Sequence, residues 1–288
     1  MKNISTVEKV VIYALLVIIS AIVLIPLAYT FSASFKSNQE ILAGGINLIP
    51  RQFTTEGYKE VWNMAGKTLK DKVTFADYAW NSIKICTLTT ILSVVSTSMA
   101  SYCFSRGNFP GRKFLYGFFL ATMFIAAGSI TMYPQLQITS KLGMNNWWGV
   151  AIIESVGASA SNLFLTLGYL RTIPKEMDES AKIDGCTFFG TCWRIIMPLS
   201  IPILGTLALL KFKGSWNSFL MPRLMLASDP TEMTLVVAVY NLAKGKGTAT
   251  AYNIMMAGSV LSILPIMIVF VLMNRTFIEG ITQGAVKG

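Results

Sequence analysis

Glu154, Lys211 and Lys213 are ionisable side chains placed inside apolar stretches of this sequence. A charge at the centre of a bilayer costs at least ~2.5–3.5 kcal/mol on insertion scales, so such a group faces a partner or a water-filled cavity. On a helix Lys211 and Lys213, two positions apart, point in nearly opposite directions and cannot share one face. Lys213 falls near the middle of its apolar stretch. The pattern predicts that Lys211 pairs with Glu154 or with a neighbouring protein. It leaves Lys213, next to Trp216 and Asn217, to line a polar path. A second constellation is built for docking: Glu176, Asp178 and Glu179, then Gly185, then Phe188, Phe189, Cys192, Trp193 and Ile196, closed by Pro198 and Pro202.

Bond-making chemistry has little to work with. The chain has no histidine, which removes imidazole acid–base catalysis and histidine-ligated metals. Of its four cysteines, Cys86 and Cys103 lie in an apolar stretch, and Cys186 and Cys192 follow the acidic cluster. None falls in a candidate external loop, so no disulfide framework is implied. No G-x-x-x-x-G-K-[ST] motif occurs, and Lys244-Gly245-Lys246-Gly247 has the wrong spacing and follows no strand. Any ATP hydrolysis would have to come from another chain.

The elements that carry these residues are membrane spans. Hydrophobic residues make up 53% of the 288, charged residues 13%, and the mean hydropathy is +0.56. Soluble domains carry about 25% charged residues. The net charge of +10 is scattered between apolar stretches and reads as an orientation signal, not as a nucleic-acid surface. Six spans are expected, at about 10–31, 81–104, 114–133, 147–170, 203–220 and 253–273, forming one domain over 1–288. The first is too long for the core of a cleavable signal peptide. Loop 32–78 is expected outside, with 135–146 and 221–252. The loops holding Arg106, Arg112 and Lys113, and Arg171, Lys175, Lys182 and Arg194, are expected in the cytoplasm with both termini. Ser and Thr recur along the second span, and Gly157 to Ser161 offer a small-residue face in the fourth, both suited to close helix packing. Trp147 and Trp148 suit the outer interface.

The docking stretch Arg171–Pro202 is the longest polar interruption of the second half. Pro174 suits a helix start, and Glu176, Asp178 and Glu179 suit the positive end of its dipole. Gly185 ends that helix. Thr187 starts a second one, whose aromatic residues fall on one face until Pro198 and Pro202 end it.

Glu179-Ser180-Ala181, Gly185, Ile195, Met197 and Pro198 resemble the EAA loop, E-A-A-x3-G-x9-I-x-L-P, of binding-protein-dependent ABC importers, with Ser180 and Met197 as mild departures. Phe212-x3-Trp216-Asn217-x-Phe219-x2-Pro222 resembles the fifth-helix signature of sugar-importer permeases. Tyr102 to Lys113 fits the first cytoplasmic loop of the family. Phe277 to Gly288 resembles the tail of the maltose-transporter-type second permease.

The resemblance runs from the first span to the last residue. It implies an all-α integral membrane protein of the type I ABC importer fold, six transmembrane helices with a cytoplasmic EAA coupling helix, in a bacterial plasma membrane. It implies coupling to an ATPase through Glu179, Ser180, Ala181, Asp184, Gly185, Phe188, Phe189, Trp193 and Pro198, and a tail contact through Gln283 and Gly284. The translocation path would hold Glu154, Lys211, Lys213, Trp216 and Asn217. The implied partners are a homologous permease, two ATP-binding subunits that carry the ATP and Mg, an extracellular solute-binding protein and the bilayer; no cofactor is expected on this chain. The substrate class implied is a saccharide, with an anionic one as an option if Lys213 lines the path. A permease for a polyamine or a glycerol-phosphate-like solute, and a channel outside the ABC class, are the alternatives.

Overall fold

A computed structural model describes residues 6–63, 73–125, 128–155, 159–244 and 250–285, with side chains through Asn274. Every regular element among them is helical. In order these are α1 (Thr6–Ala33), α2 (Asn38–Leu42), α3 (Glu56–Trp62), α4 (Phe75–Arg106), α5 (Arg112–Thr122), α6 (Met132–Lys141), α7 (Trp147–Ser155) and α8 (Ala160–Leu170). After them come α9 (Glu176–Ile183), α10 (Phe188–Thr191), a π-helical segment (Cys192–Ile196), α11 (Met197–Leu199) and α12 (Ile201–Trp216). The last are α13 (Leu220–Met225), α14 (Leu235–Lys244) and α15 (Tyr252–Ala285).

Hydropathy and length single out α1, α4 and the Tyr252–Asn274 part of α15 as long and apolar enough to cross a membrane. The number among the described residues rises to five if α7 with α8, and Phe188–Leu199 with α12, each count as one bent span. Helix α1 is apolar all round, and only Ser32 and Ala33 at its end are buried. A helix of that kind is solvated by lipid.

The third span expected at 114–133 is not one helix. Bonds tighten to Met123 N–H→Leu120 C=O and Phe124 N–H→Ala121 C=O at the end of α5, and α6 starts at Met132 with Pro134 in its first turn. Pro134 lacks the N–H that a mid-helix position needs but is tolerated at a helix start. For the same reason the expected loop 135–146 is largely helical. The fourth span is likewise divided into α7 and α8. Ser159 caps α8 and Ala160 is buried, while Gly157 and Ala158 of the expected small-residue face lie outside the described residues. The sixth span expected at 253–273 coincides with the apolar Tyr252–Asn274 part of α15, and the helix itself continues beyond it to Ala285.

The chain packs as two compact units, 1–77 with 235–264, and 78–234 with 265–288, so both dividing points near 78 and 265 fall inside long helices. In the first unit Val61, Leu235, Val237, Val239 and Ala257 are buried. A side chain at Gly258 would meet Val239 Cγ1 at 2.2 Å, so only glycine lets α15 approach α14 so closely. Asn38 joins this unit's ends, accepting from Tyr252 N–H at 2.8 Å and donating to Thr250 C=O at 3.4 Å.

In the second unit one stripe of α4 is buried: Ser82, Cys86, Thr89, Ser93, Thr97 and Ser101. Its spacing of three and four keeps these small side chains on one face, as the sequence predicts for close helix contact. Phe104, Leu163 and Leu167 form one apolar cluster of this unit. Tyr102, Tyr169, Leu170, Ile173, Cys192, Ile196, Met197 and Ile203 form another. The second cluster roots the docking stretch in the membrane helices.

Candidate functional site

Helix α9 ends as the sequence predicts, and the ending is a Schellman motif. Gly185 takes φ +79°, Cys186 N–H donates to Ala181 C=O at 2.9 Å, and Gly185 N–H donates to Lys182 C=O at 3.1 Å. This pair of bonds closes the last carbonyls of a helix around a left-handed residue. Thr187 then caps α10 by accepting from Gly190 N–H at 3.1 Å. Two helices are thus joined by a turn with little freedom.

The second helix widens before it stops. Pro198 has no N–H to offer the Arg194 carbonyl, and Met197 N–H reaches back to Cys192 C=O, the spacing of a π turn. Ser200 closes the end of this segment, its N–H and hydroxyl both donating to Ile196 C=O. The segment Phe188–Leu199 then meets α12 at 80°. Pro198 is exposed at this elbow.

The wide turn redistributes the face expected for Phe188, Phe189, Cys192, Trp193 and Ile196. Cys192 and Ile196 are buried in the apolar cluster. Phe188 lies 4.7 Å from the Tyr102 ring and is only partly covered. Ile183, Phe189 and Trp193 face outward, 86%, 53% and 46% exposed. Glu179, Ser180 and Asp184 are exposed beside them, and Ala181 is buried against the body of the protein. The element therefore presents exposed apolar side chains among exposed acids and the cations Lys182 and Arg194, on a buried base. Patches of this kind mark protein interaction sites.

Sequence reasoning placed Asp178 among the dipole acids and missed its partner. Asp178 is buried, with Oδ2 2.9 Å from Arg106 Nε. Tyr102 O–H donates to Oδ1 at 3.3 Å, and Arg106 also donates to Ile173 C=O at 2.7 Å. Arg106 and Tyr102 lie one turn apart at the end of α4. A buried ion pair of this type tolerates no loss of one partner.

The intramembrane charges separate into two roles. Lys211 donates to Glu154 C=O at 2.5 Å, and Ser215 O–H donates to Glu154 Oε2 at 2.7 Å. Together they hold α12 against the end of α7. Lys213 is exposed, beside a groove of about 300 Å³ lined by Leu209, Leu210, Ile266, Met267, Phe270 and Val271. It is not central in its helix, because α12 ends at Trp216 and Lys213 occupies the last turn. Trp216 is buried and stacked on Phe212 at 5.9 Å, so its ring is in the interior and not on an open path. Asn217 is exposed and caps α12 through its N–H to Lys213 C=O at 3.1 Å. Gln283 and Gly284 belong to the helical backbone of α15, and the Gln283 side chain lies outside what the structure describes. Among the described residues no group of His, Cys, Asp or Glu could hold a metal.

The family described as binding-protein-dependent transport system inner membrane component matches residues 93–283, a stretch that contains the whole docking element and the Glu154–Lys211 pair. This chain belongs to that family. It is a multi-pass membrane transport component and not an enzyme. It is 33% identical to an arabinooligosaccharide transport system permease of Halalkalibacterium halodurans, over 94% of this chain and 93% of the relative. It is also 33% identical to a galactooligosaccharide transport system permease of Bacillus subtilis, over 96% and 94%. A solved chain from a bacterial ABC transporter involved in the import of the acidic polysaccharide alginate has the same fold. The TM-score is 0.75 at 24% identity, over 96% of this chain and 99% of that one.

Proposed function

We propose that this permease is one of two transmembrane subunits of an ATP-driven saccharide importer. An extracellular binding protein delivers an oligosaccharide to a cavity between the two permeases. Separate ATP-binding subunits, two per complex, close on ATP and drive alternating access. The observation that carries the coupling role is the outward patch of Ile183, Phe189 and Trp193 on a buried, ion-paired base. A lever must be rigid at its root and adhesive at its tip, and this element has both properties. The saccharide class rests on the names of the arabinooligosaccharide and galactooligosaccharide relatives.

In this reading the docking element and both termini lie in the cytoplasm, where the short Lys/Arg-rich loops belong. Six crossings result if the interrupted α5–α6 region supplies the third. Glu179, Ser180, Ala181, Asp184 and Gly185 shape the docking helix, and the end of α15, with Gln283 and Gly284, reaches the ATPase subunits. The experiment is to purify the complex through a tag on this chain, reconstitute it in proteoliposomes and screen oligosaccharides for stimulated ATP turnover. An ATPase subunit that co-purifies and responds to an oligosaccharide with its binding protein is the expected result. Stimulation by a polyamine or a phosphorylated polyol, with none by saccharides, would overturn the substrate class.

Lys213 favours one narrower reading, an anionic saccharide. It is an exposed cation beside Asn217, while Lys211 is taken up by Glu154.

A further inference from the structure

A cavity of about 700 Å³ opens where the end of α4, the start of α5 and the end of α8 converge, apart from the intramembrane charges. We propose that it binds one anionic glycerophospholipid of the cytoplasmic leaflet. Its cations are Arg112, Lys113 and Arg171, and no carboxylate lines it. The buried Phe104 and Leu167 line it, together with Phe114, a ring left 76% exposed.

The three cations are differently held. Arg112 donates to Gly107 C=O at 2.9 Å and Ser105 C=O at 3.3 Å, which fixes its guanidinium against the end of α4. Arg171 lies over the Tyr116 ring, 6.0 Å from its centroid. Lys113 is exposed and has no protein partner among the described residues. The lining thus joins three cations to an aromatic and aliphatic surface.

An amphiphile satisfies both halves at once. A phosphate meets Lys113 and Arg171, and the glycerol backbone and first acyl carbons lie on Phe104, Leu167 and Phe114. A free phosphate leaves the apolar surface unused, and a neutral headgroup leaves the cations uncompensated. The location agrees, because short loops rich in Lys and Arg sit at the cytoplasmic surface, and basic pockets between membrane helices there bind anionic headgroups. The volume falls within the ~300–1,000 Å³ of ordinary ligand sites.

The test uses the whole transporter complex, stripped of lipid in detergent and titrated with phosphatidylglycerol, followed by native mass spectrometry. A basic side chain near an anionic surface strengthens binding about fivefold, so Lys113→Gln with Arg171→Gln should weaken tight lipid retention about twenty-five-fold. Lys113→Arg with Arg171→Lys keeps the charge and should keep the lipid, which shows that the doubly substituted fold is intact. Phosphatidylcholine should not be retained, and glycerol phosphate should not displace the lipid. Equal retention by the Gln pair overturns the proposal. So does displacement by glycerol phosphate, which would mark a site for a soluble phosphorylated solute. Retention by the permeases alone, lost when the ATPase is present, would overturn it in favour of a protein occupant.

Discussion

Arg106 Nε lies 2.9 Å from Asp178 Oδ2, and through this pair the last turn of α4 grips the first turn of α9. The two side chains are only 9% and 11% exposed. Removing one partner of a buried pair costs ~3–5 kcal/mol, because the other charge remains desolvated. Asp178→Ala should therefore lower the thermal stability of the complex and abolish saccharide-stimulated ATP turnover while membrane insertion continues. Tyr102→Phe removes one longer bond of 3.3 Å and should cost only about 1 kcal/mol. Replacement of both partners, Arg106→Met with Asp178→Leu, should recover much of the stability without recovering coupling. Wild-type turnover in Asp178→Ala would contradict the lever.

Gly185 supplies the left-handed residue of the Schellman turn, and no atom lies within 4 Å of where its side chain would stand. A substitution there meets no clash and is penalised by backbone strain alone, about 1–2 kcal/mol for an L-residue. Gly185→Val should uncouple or detach the ATPase, whereas Gly185→Asn, which tolerates this conformation, should stay close to wild type. Equal loss in both variants would mean that the surface, and not the turn geometry, matters at this position.

Phe189 and Trp193 point outward while Ile196, on the same element, points in. Alanine at either aromatic should change stability by less than about 0.5 kcal/mol. It should nevertheless weaken ATPase retention more than about tenfold, as loss of an interfacial aromatic anchor does. Ile196→Ala should behave in the opposite way, destabilising the permease by ~2–5 kcal/mol. Co-purification and thermal melting, run on the same three variants, separate the two classes. Unchanged retention in both aromatic variants would remove the patch from the interface.

The sequence made the docking element legible because its signals are local. The acids of α9, Gly185 and Thr187 each act within a turn or two of themselves: α9 stops at Gly185 and α10 starts behind Thr187. The fit is not complete, because α9 begins at Glu176, two residues after Pro174, and α10 gives way to the π-helical segment after Thr191. The Asp178 partners could not be read this way. Tyr102 is 76 positions away, and an acid in a first helical turn already has a sufficient local explanation in the dipole. Hydropathy found the apolar stretches but not their breaks. It sums composition over a window, so it ran the third span past the end of α5 to 133, left most of α6 in a loop, and merged α7 with α8. Trp216 is expected on the path from its place beside Lys213 and Asn217 in the sequence. Its burial follows from packing on Phe212, one turn before it.

Lys211 and Lys213 should separate structure from transport. Lys211 and Ser215 both bind Glu154, so Lys211→Gln loosens the α7–α12 contact and should lower complex stability by about 1–3 kcal/mol, the range for a lost buried polar partner. Lys213 is in the last turn of α12, three residues from its end at Trp216, about 4.5 Å along the axis. From there its ammonium can reach the membrane surface along its own aliphatic stem. Lys213→Gln should accordingly leave stability unchanged. If the path carries an anionic saccharide past Asn217, the variant should raise the KM for that saccharide about fivefold, the value of one exposed ion pair near 1 kcal/mol, and leave kcat and uptake of a neutral saccharide unaltered. Identical uptake of acidic and neutral saccharides by Lys213→Gln and wild type would place Lys213 on the lipid-facing rim of its apolar groove and remove the anionic reading.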